Sequence, residues 1–185
     1  DCRVSMAVAG HVERCYAVDV SSAVVSTADK LKNLHIIISD GTSVPLPTES
    51  IELAYSYQLM EHLHADDAFE QLRQVYRCLQ KTGTYLCITP NRLSGPHDIS
   101  FNFDEKATGL HLQEYSYKML AEMFKSVGFA RLYALLIVKG RILVRLPVSV
   151  MTVFERLAGM LPVNLRKRLC RARIIKNLLG VNLLA

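Results

Sequence analysis

Two acidic residues that directly follow short hydrophobic runs are the clearest candidates for binding chemistry in this sequence. Asp19 lies near the end of CYAVDV, and Asp40, followed by Gly41, comes directly after LHIIIS. A carboxylate at the carboxyl end of a parallel strand faces the ligand crevice and accepts hydrogen bonds from both hydroxyls of a ribose. Asp19 alone is equally explained as a helix N-cap, but two successive strands that end in acids favour a nucleotide site, where Gly41 lets backbone approach a flat ring.

A second group of candidates consists of histidines and their acidic neighbours. His62, in the segment EHLH, could accept a proton near neutral pH from an acceptor hydroxyl. The alternative is a histidine that caps or packs against the helix beginning nearby. Glu61 either pairs electrostatically with a cofactor or is solvated in a loop. His111 and Glu114 either reach the acceptor or order their own loop.

Other catalytic and metal-binding patterns are absent from the sequence. His62, His64 and Asp66 straddle a loop-to-helix boundary and lack a fourth ligand at a suitable distance, so we expect no metal site. There is no P-loop, no GxSxG elbow and no basic patch interleaved with aromatic residues. We therefore expect no nucleic-acid partner.

Helical apolar spacing alternates with β-rich runs, which predicts an α/β fold with a mainly parallel, doubly wound sheet. Strands are expected over residues 15–20, 34–39, 51–57 and 84–89. Ser21 or Ser22 can cap a helix after the first strand, and Asp66 can cap a helix that ends near Lys81 and Gly83. Residues 91–115 show no clear period, and so long a loop is usually functional or a lid.

The last part of the pattern predicts a capped helix, a strand pair and a basic extension. Ser116 is expected to cap a helix that Gly128 ends, and residues 129–138 and 141–146 to form an antiparallel pair. From Pro147 onward the pattern is helical. We therefore predict a domain over residues 1–146 and an amphipathic helical extension over residues 147–185.

Charge is unevenly distributed along the 185 residues. Up to Gly140 the chain has 13 Lys/Arg and 16 Asp/Glu, whereas from Arg141 onward it has nine Lys/Arg and only Glu155. A basic amphipathic helix over residues 165–179 would lie at an anionic membrane surface, or pack its apolar face on the domain and expose its charges to water. Both alternatives remain open.

The cysteines and the hydropathy pattern indicate the compartment. The five cysteines form no CxxC pair and have mostly apolar neighbours, which is typical of buried thiols in a reducing compartment. No signal peptide opens the chain and no apolar run is long enough for a membrane span. We expect a cytoplasmic protein, with peripheral membrane contact if the basic extension binds lipid.

Several segments together resemble class I S-adenosylmethionine-dependent methyltransferases of the kind that modify sugars and small molecules. YAVDVS and IISDGTSVPLPTESIELAYSYQLMEHL are similar to the central part of that family, TGTYLCITPNR to its fifth strand and following loop, and HLQEYSYKMLAEMFKSVGF to a later helix. The resemblance implies that Asp19 binds the cofactor ribose, that Val20, Asp40 and Gly41 contact adenine, and that Tyr57 and Gln58 lie beside the methionine moiety. Asn91, His111 and Glu114 become candidate substrate contacts.

One departure from the family concerns its first strand and glycine-rich turn, which have no counterpart before Asp1. The resemblance therefore implies an N-terminally truncated domain, with residues 1–9 as the remaining first helix. A sheet without that strand would expose unpaired backbone groups and bind cofactor poorly.

The resemblance implies an enzyme that transfers a methyl group from S-adenosylmethionine to a small-molecule or glycan-like acceptor, with His62 as the candidate base. The alternative is a noncatalytic remnant or interaction module that docks through its basic tail. A nicotinamide-dependent oxidoreductase also places an acid after its second strand, but the Asp40-Gly41 turn and the EHL segment disfavour it.

Overall fold

A computed structural model describes residues 2–24, 31–138, 141–162, 165–166 and 181–185 of the chain. Contacts divide the chain into an N-terminal unit, Asp1–Pro47, and a C-terminal unit, Thr48–Ala185. The sequence-based boundary between residues 146 and 147 falls inside the C-terminal unit and remains a prediction.

In its described residues, the N-terminal unit has one short α-helix and a two-stranded parallel sheet. Helix α1 is Arg3–Ala9, strand β1 is Cys15–Asp19 and strand β2 is Leu34–Ile38. Both strands were expected from their hydrophobic runs. Where a helix was expected after β1, Ser22–Val24 form a 3-10 turn. The rest of the expected helix falls on residues 25–30, which lie outside the described part of the chain.

The C-terminal unit is built on a mixed five-stranded sheet. Its strands are β3 (Ile51–Tyr57), β4 (Leu79–Thr89), β5 (Tyr133–Val138), β6 (Arg141–Pro147) and β7 (Val181–Leu184), in the spatial order β3-β4-β7-β5-β6. Strands β3 and β4 are parallel, whereas β7 is antiparallel to both of its neighbours and β5 is antiparallel to β6. The predicted α/β class is confirmed, and the predicted hairpin of β5 and β6 is present.

Three helices of the C-terminal unit have described bounds, and their ends follow local chemistry. Helix α2 is Ala65–Cys78, α3 is Tyr117–Val127 and α4 is Val148–Gly159. The Ser116 hydroxyl accepts a hydrogen bond from the Met119 N–H, and Gly128, with φ of 125°, ends α3 as expected.

Helix α2 differs from its prediction at both ends. His64, not Asp66, is the N-cap residue, and Asp66 lies in the first turn, where its charge favours the positive end of the helix. The helix ends at Cys78 and β4 begins at Leu79, before Gly83, because residues 79–82 continue directly into the sheet.

The final residues of the chain correct the expectation of a helical tail. Strand β7 lies between β4 and β5, and the side chains of Val181 and Leu183 are fully buried there. The Asn182 amide Nδ2 donates to the Leu135 carbonyl at 3.2 Å. The sequence did not predict β7, because the short apolar run Val181–Leu184 follows a basic segment and has no local feature that indicates a strand.

The core of the C-terminal unit forms where α2 and α3 contact the sheet. Its largest buried side chains include Leu72 from α2 and Leu120 and Phe124 from α3. Phe124 stacks on Tyr85 of β4 with a ring-centroid separation of 5.4 Å, and Phe129 contacts both rings. This aromatic cluster anchors α3 against the strand whose end carries Thr89.

The described cysteines are buried or half-buried, as their apolar neighbours predict. Cys2, Cys78 and Cys87 are buried, Cys15 is half-buried, and Cys170 lies outside the described part. Among the helices described, none has the length and apolar character needed to cross a bilayer.

Candidate functional site

The structure brings the two strand-end acids of the N-terminal unit to one edge of their sheet. Strands β1 and β2 are parallel, with Asp19 opposite Ile38, and the Ser39 N–H donates to the Asp19 carbonyl at 2.9 Å. Asp40 therefore follows β2 at the same edge where Asp19 ends β1. This shared edge is the arrangement that a common nucleotide site would require, and the site itself remains a prediction.

Asp19 has an available acceptor atom. Its Oδ1 accepts a hydrogen bond from the Ser21 N–H at 2.9 Å, while Oδ2 has no hydrogen-bond partner among the described residues. The side chain is half-buried, and the neighbouring Val20 is 65% exposed. The residue thus serves the turn after β1 with one oxygen and leaves the other free for a hydroxyl donor.

The Asp40 carboxylate organises its own loop. Its Oδ1 accepts from the backbone N–H groups of Thr42, at 3.0 Å, and Ser43, at 2.7 Å, and Oδ2 accepts from the Ser43 hydroxyl at 2.9 Å. These hydrogen bonds hold the pKa of the Asp40 carboxyl well below its usual range, and the one from the Ser43 N–H has the largest effect. An adenine contact at Asp40 would add to this local role.

Gly41 provides the close backbone approach expected next to Asp40. Its φ of 97° is disfavoured for residues with a Cβ, and a Cβ built there would lie 3.4 Å from Val20 Cγ1. The exposed Val20 side chain and the Gly41 backbone therefore adjoin. The adenine contact expected for Val20 and Gly41 remains a prediction.

Tyr57 and Gln58 lie at the carboxyl end of β3, in the C-terminal unit. Tyr57 is 61% exposed, and Gln58 has a φ of 52° while its N–H donates to the Ile88 carbonyl at 2.8 Å. The backbone turns sharply here and directs the chain into the 3-10 turn Met60–His62. Both side chains are accessible to a ligand at the end of β3.

That 3-10 turn is joined to the loop that precedes α3. The N–H groups of Leu112 and Gln113 donate to the Glu61 carbonyl at 2.8 and 3.3 Å, and His62 Nδ1 lies 3.2 Å from the Leu110 carbonyl oxygen. The rings of His62 and His111 meet edge to face with centroids 5.0 Å apart. Two histidines separated along the sequence thus share one site.

Glu61 and Glu114 are the carboxylates of this cluster. Glu61 is fully buried and its Oε2 accepts from the Thr89 hydroxyl at 2.8 Å. Glu114 Oε1 accepts from the His97 N–H at 2.6 Å and lies 2.9 Å from His111 Nδ1. This geometry favours the ordering role for Glu114, whose substrate contact remains a prediction.

Asp98 holds the segment that carries His111. Its Oδ2 accepts from three successive N–H groups, those of Gly109, Leu110 and His111, at 2.9, 2.8 and 3.1 Å. Partial desolvation raises the pKa of the Asp98 carboxyl, but hydrogen bonds from Ser100 and from this segment outweigh it and hold the pKa below its usual range. Asp98 thereby sets the position of the loop backbone at His111.

Asn91 is occupied by structural hydrogen bonds. It is 1% exposed, its Nδ2 donates to Glu155 Oε1 at 2.7 Å, and its Oδ1 accepts from the Leu93 N–H at 2.8 Å. Glu155 also accepts from the Tyr117 N–H at 2.8 Å, at the start of α3. The substrate contact predicted for Asn91 remains untested, and its surroundings favour a structural role.

Sequence reasoning did not identify Asp98 and Glu155 as organising carboxylates. Burial raises the pKa of the Glu155 carboxyl, although the hydrogen bonds from Tyr117 and Asn91 work in the opposite direction. One sequence feature pointed to Glu155, since it is the single acid after Gly140. No comparable feature distinguishes Asp98 from the other acids of its loop.

The other histidine and acid considered as metal ligands are not part of the cluster. His64 and Asp66 are exposed at the beginning of α2, whereas ligand atoms of Glu61, His62 and His111 lie within 4.8 Å of one another. His62 therefore lies near Glu61 and His111 rather than in a group with His64 and Asp66. His62 and His111 are 49 positions apart in the sequence.

Comparisons with known proteins agree on the family. Residues 2–87 match the family model described as methyltransferase domain. A probable S-adenosylmethionine-dependent methyltransferase of Mycolicibacterium smegmatis is 29% identical over 86 residues, which cover 46% of this chain and 31% of that relative. The chain thus spans about a third of the relative's length.

Solved structures show the same fold. An S-adenosylmethionine-dependent methyltransferase of Mesorhizobium loti aligns with a TM-score of 0.56 and 15% identity, covering 94% of this chain and 78% of that one. A methyltransferase of Haloferax volcanii, solved with the Trm112 methyltransferase activator, aligns with a TM-score of 0.56 and 18% identity, covering 69% and 57%. In its strand-end acids, its Rossmann-like α/β fold and residues 2–87, the chain is similar to the class I S-adenosylmethionine-dependent methyltransferases.

Proposed function

We propose that this chain forms part of an enzyme that transfers a methyl group from S-adenosylmethionine to a small-molecule or glycan-like acceptor. The observation that carries the proposal is the common sheet edge at which Asp19 ends β1 and Asp40 follows the parallel strand β2. The cofactor supplies a methyl group on a sulfonium, whose good leaving group makes placement of the acceptor more important than a strong base.

Asp19, Val20, Asp40 and Gly41 are the residues that we assign to adenosine. The Asp19 carboxylate has one oxygen without a partner among the described residues, and that oxygen suits a ribose hydroxyl. Val20 and Gly41 supply an apolar surface where a flat base can lie. Both Asp40 carboxylate oxygens already accept hydrogen bonds from their own loop, which limits the hydrogen bond that Asp40 can accept from an adenine amine. We therefore expect Asp19 to contribute more than Asp40 to cofactor affinity.

The acceptor side is assigned to the end of β3 and the loop before α3. We assign Tyr57 and Gln58 to the methionine part of the cofactor, as the family resemblance implies, and the exposure of both side chains supports this assignment. A general-base role for His62 remains a prediction. If it acts as a base, it must do so through Nε2, because Nδ1 faces the Leu110 carbonyl.

Binding of the cofactor tests this proposal directly. In the full-length protein, Asp19→Ala should weaken binding of S-adenosylmethionine and S-adenosylhomocysteine by at least about fivefold, equivalent to about 1 kcal/mol for a lost charge-assisted hydrogen bond. Isothermal titration calorimetry provides the measurement. The matched control is Glu13→Ala, because Glu13 is 91% exposed in the same unit.

Two outcomes would contradict the assignment. Equal affinities of the Asp19→Ala and unaltered proteins would reject the ribose contact. A full-length protein that binds neither ligand would reject methyl transfer itself and favour the noncatalytic alternative.

A further inference from the structure

We propose that Glu61, His62 and His111 form a binding site for a divalent transition-metal cation. One ligand atom from each residue lies within 4.8 Å of the other two. A carboxylate with two imidazoles is a common ligand set for Zn²⁺ and Fe²⁺, and it leaves coordination positions open. The proposal replaces the metal-free expectation from the sequence.

The buried Glu61 carboxylate supplies an independent argument. Its side chain is 0% exposed, Oε2 accepts from the Thr89 hydroxyl, and Oε1 has no hydrogen-bond partner among the described residues. A buried carboxylate oxygen without a partner costs free energy, and an ion is one of the few groups that removes this cost. His62 and His111 each offer one ring nitrogen as a metal ligand beside this carboxylate.

Each proposed ligand is oriented by a second group. His111 Nδ1 lies 2.9 Å from Glu114 Oε1, and His62 Nδ1 lies 3.2 Å from the Leu110 carbonyl oxygen. With Nδ1 protonated and donating to these acceptors, Nε2 of each ring has its lone pair available for a metal. Carboxylate and carbonyl partners on the remote ring nitrogen are typical of metal-binding histidines.

Only small adjustments are needed to close the site. Two ligands that bond a tetrahedral Zn²⁺ at about 2.1 Å lie about 3.4 Å apart, so the ligand atoms must approach by roughly 1 Å. His62 is exposed and can move, whereas Glu61 and His111 are buried and supply a fixed pair. Asp98 adds rigidity by binding the N–H groups of residues 109–111.

The function of the cation rests on the proposed methyl transfer. An acceptor hydroxyl bound at an open position of the cation would become more acidic. Because the metal would occupy His62 Nε2, this role excludes the general-base role predicted for that atom.

Zn²⁺ binding to the full-length protein tests the site without any activity measurement. Calorimetry should show one Zn²⁺ per chain, and Glu61→Gln, His62→Ala and His111→Ala should each weaken binding by at least about tenfold. Glu114→Gln should weaken it by about 10-fold to 100-fold, as expected for loss of a group that orients a ligand. His64→Ala is the matched control and should leave affinity unchanged, because His64 is an exposed neighbour outside the cluster.

Co²⁺ replacement gives a second, spectroscopic measurement. The visible absorption of bound Co²⁺ should change in His62→Ala and His111→Ala but not in His64→Ala. Glu61→Gln retains the size of the side chain, and exposed His62 can be removed without a cavity, so these variants separate ligand loss from unfolding.

Failure of the metal site is distinguishable from failure of the proposed function. Absence of stoichiometric Zn²⁺ binding, or binding that persists in a His62→Ala/His111→Ala double variant, would overturn the site even if the cofactor binds normally. Stoichiometric Zn²⁺ binding without cofactor binding would keep the site and reject the methyl-transfer role of the cation.

Discussion

Asp19 and Asp40 of the N-terminal unit use their carboxylates differently from the buried Glu61 and Glu155 of the C-terminal unit. Asp19 and Asp40 find their hydrogen-bond partners within three residues along the chain. Glu61 and Glu155 are buried and bind groups that lie 28 to 64 positions away. Local partners fix a loop while leaving a carboxylate accessible, whereas distant partners make a carboxylate part of the tertiary structure.

The two units also differ in their hydrophobic cores. Buried apolar side chains of the N-terminal cluster are limited, among the described residues, to Cys2, Ala9 and Leu34, whereas the C-terminal cluster includes Leu72, Phe124 and many others. Because apolar burial is the main favourable contribution to folding, the C-terminal unit should carry most of the stability. The proposed adenosine contacts thus lie on the unit with the smaller hydrophobic core, which we expect to be the less stable of the two.

The largest expected effect comes from removing the central aromatic side chain of the C-terminal core. Phe124→Ala should lower the free energy of unfolding by about 3 to 5 kcal/mol, because it deletes a fully buried ring that stacks on Tyr85. Urea unfolding followed by circular dichroism measures the change. Phe103→Ala is the control, because that ring is 71% exposed, and it should change stability by no more than about 0.5 kcal/mol. Equal effects of the two variants would contradict the proposed core.

A smaller loss is expected when a buried carboxylate is removed. Glu155→Ala leaves Asn91 Nδ2 and the Tyr117 N–H without their acceptor, and should cost about 2 to 4 kcal/mol of stability. Thermal and urea unfolding give the measurement. Glu122→Ala provides the comparison, because Glu122 is an exposed acid 3.8 Å from Lys118, and it should change stability by at most about 1 kcal/mol. A Glu155 variant as stable as the Glu122 variant would show that buried partners do not distinguish the two units.

The turn at the proposed adenine edge offers a test in the N-terminal unit. Gly41→Ala places a Cβ at a φ of 97° and should cost roughly 1 to 2 kcal/mol. Gly159→Ala is the matched control, because a Cβ there meets nothing within 4 Å, and it should stabilise α4 by up to about 1 kcal/mol. Stability changes of the same sign in both variants would argue against a strained turn at Gly41.

The smallest effect is a local dependence on pH in the loop that Asp98 organises. Its lowered pKa means that the folded state favours the ionised carboxyl, so the stabilisation is present above the ordinary aspartate pKa, near 4, and is lost as pH falls below it. Hydrogen-exchange protection of the Gly109, Leu110 and His111 amides should therefore decrease below about pH 4. In Asp98→Asn these amides should already exchange faster at pH 6. Their protection should then change little as the pH falls through the range in which aspartate titrates. Unchanged protection in that variant would contradict the role of Asp98.

Much of the local structure could be predicted because its determinants are close together in sequence. The strands that end at Asp19 and near Asp40 follow from short hydrophobic runs, and α3 follows from Ser116 and Gly128 at its two ends. At the start of α2 two acids compete with His64 for the N-cap position, and sequence alone selected the wrong residue. Boundaries are decided by differences of a few hydrogen bonds, which a pattern of residue types does not contain.

The sequence by itself determined the α/β class, the resemblance to methyltransferases and the pair of acids that follow neighbouring strands, because each depends on runs of a few residues. Only the tertiary structure decided that β7 enters the sheet between β4 and β5, that Glu155 joins Asn91 to α3, and that Glu61, His62 and His111 meet. These groupings depend on burial and on hydrogen bonds between distant segments. The free energy of such contacts exists only after the chain has folded, so no local pattern records it.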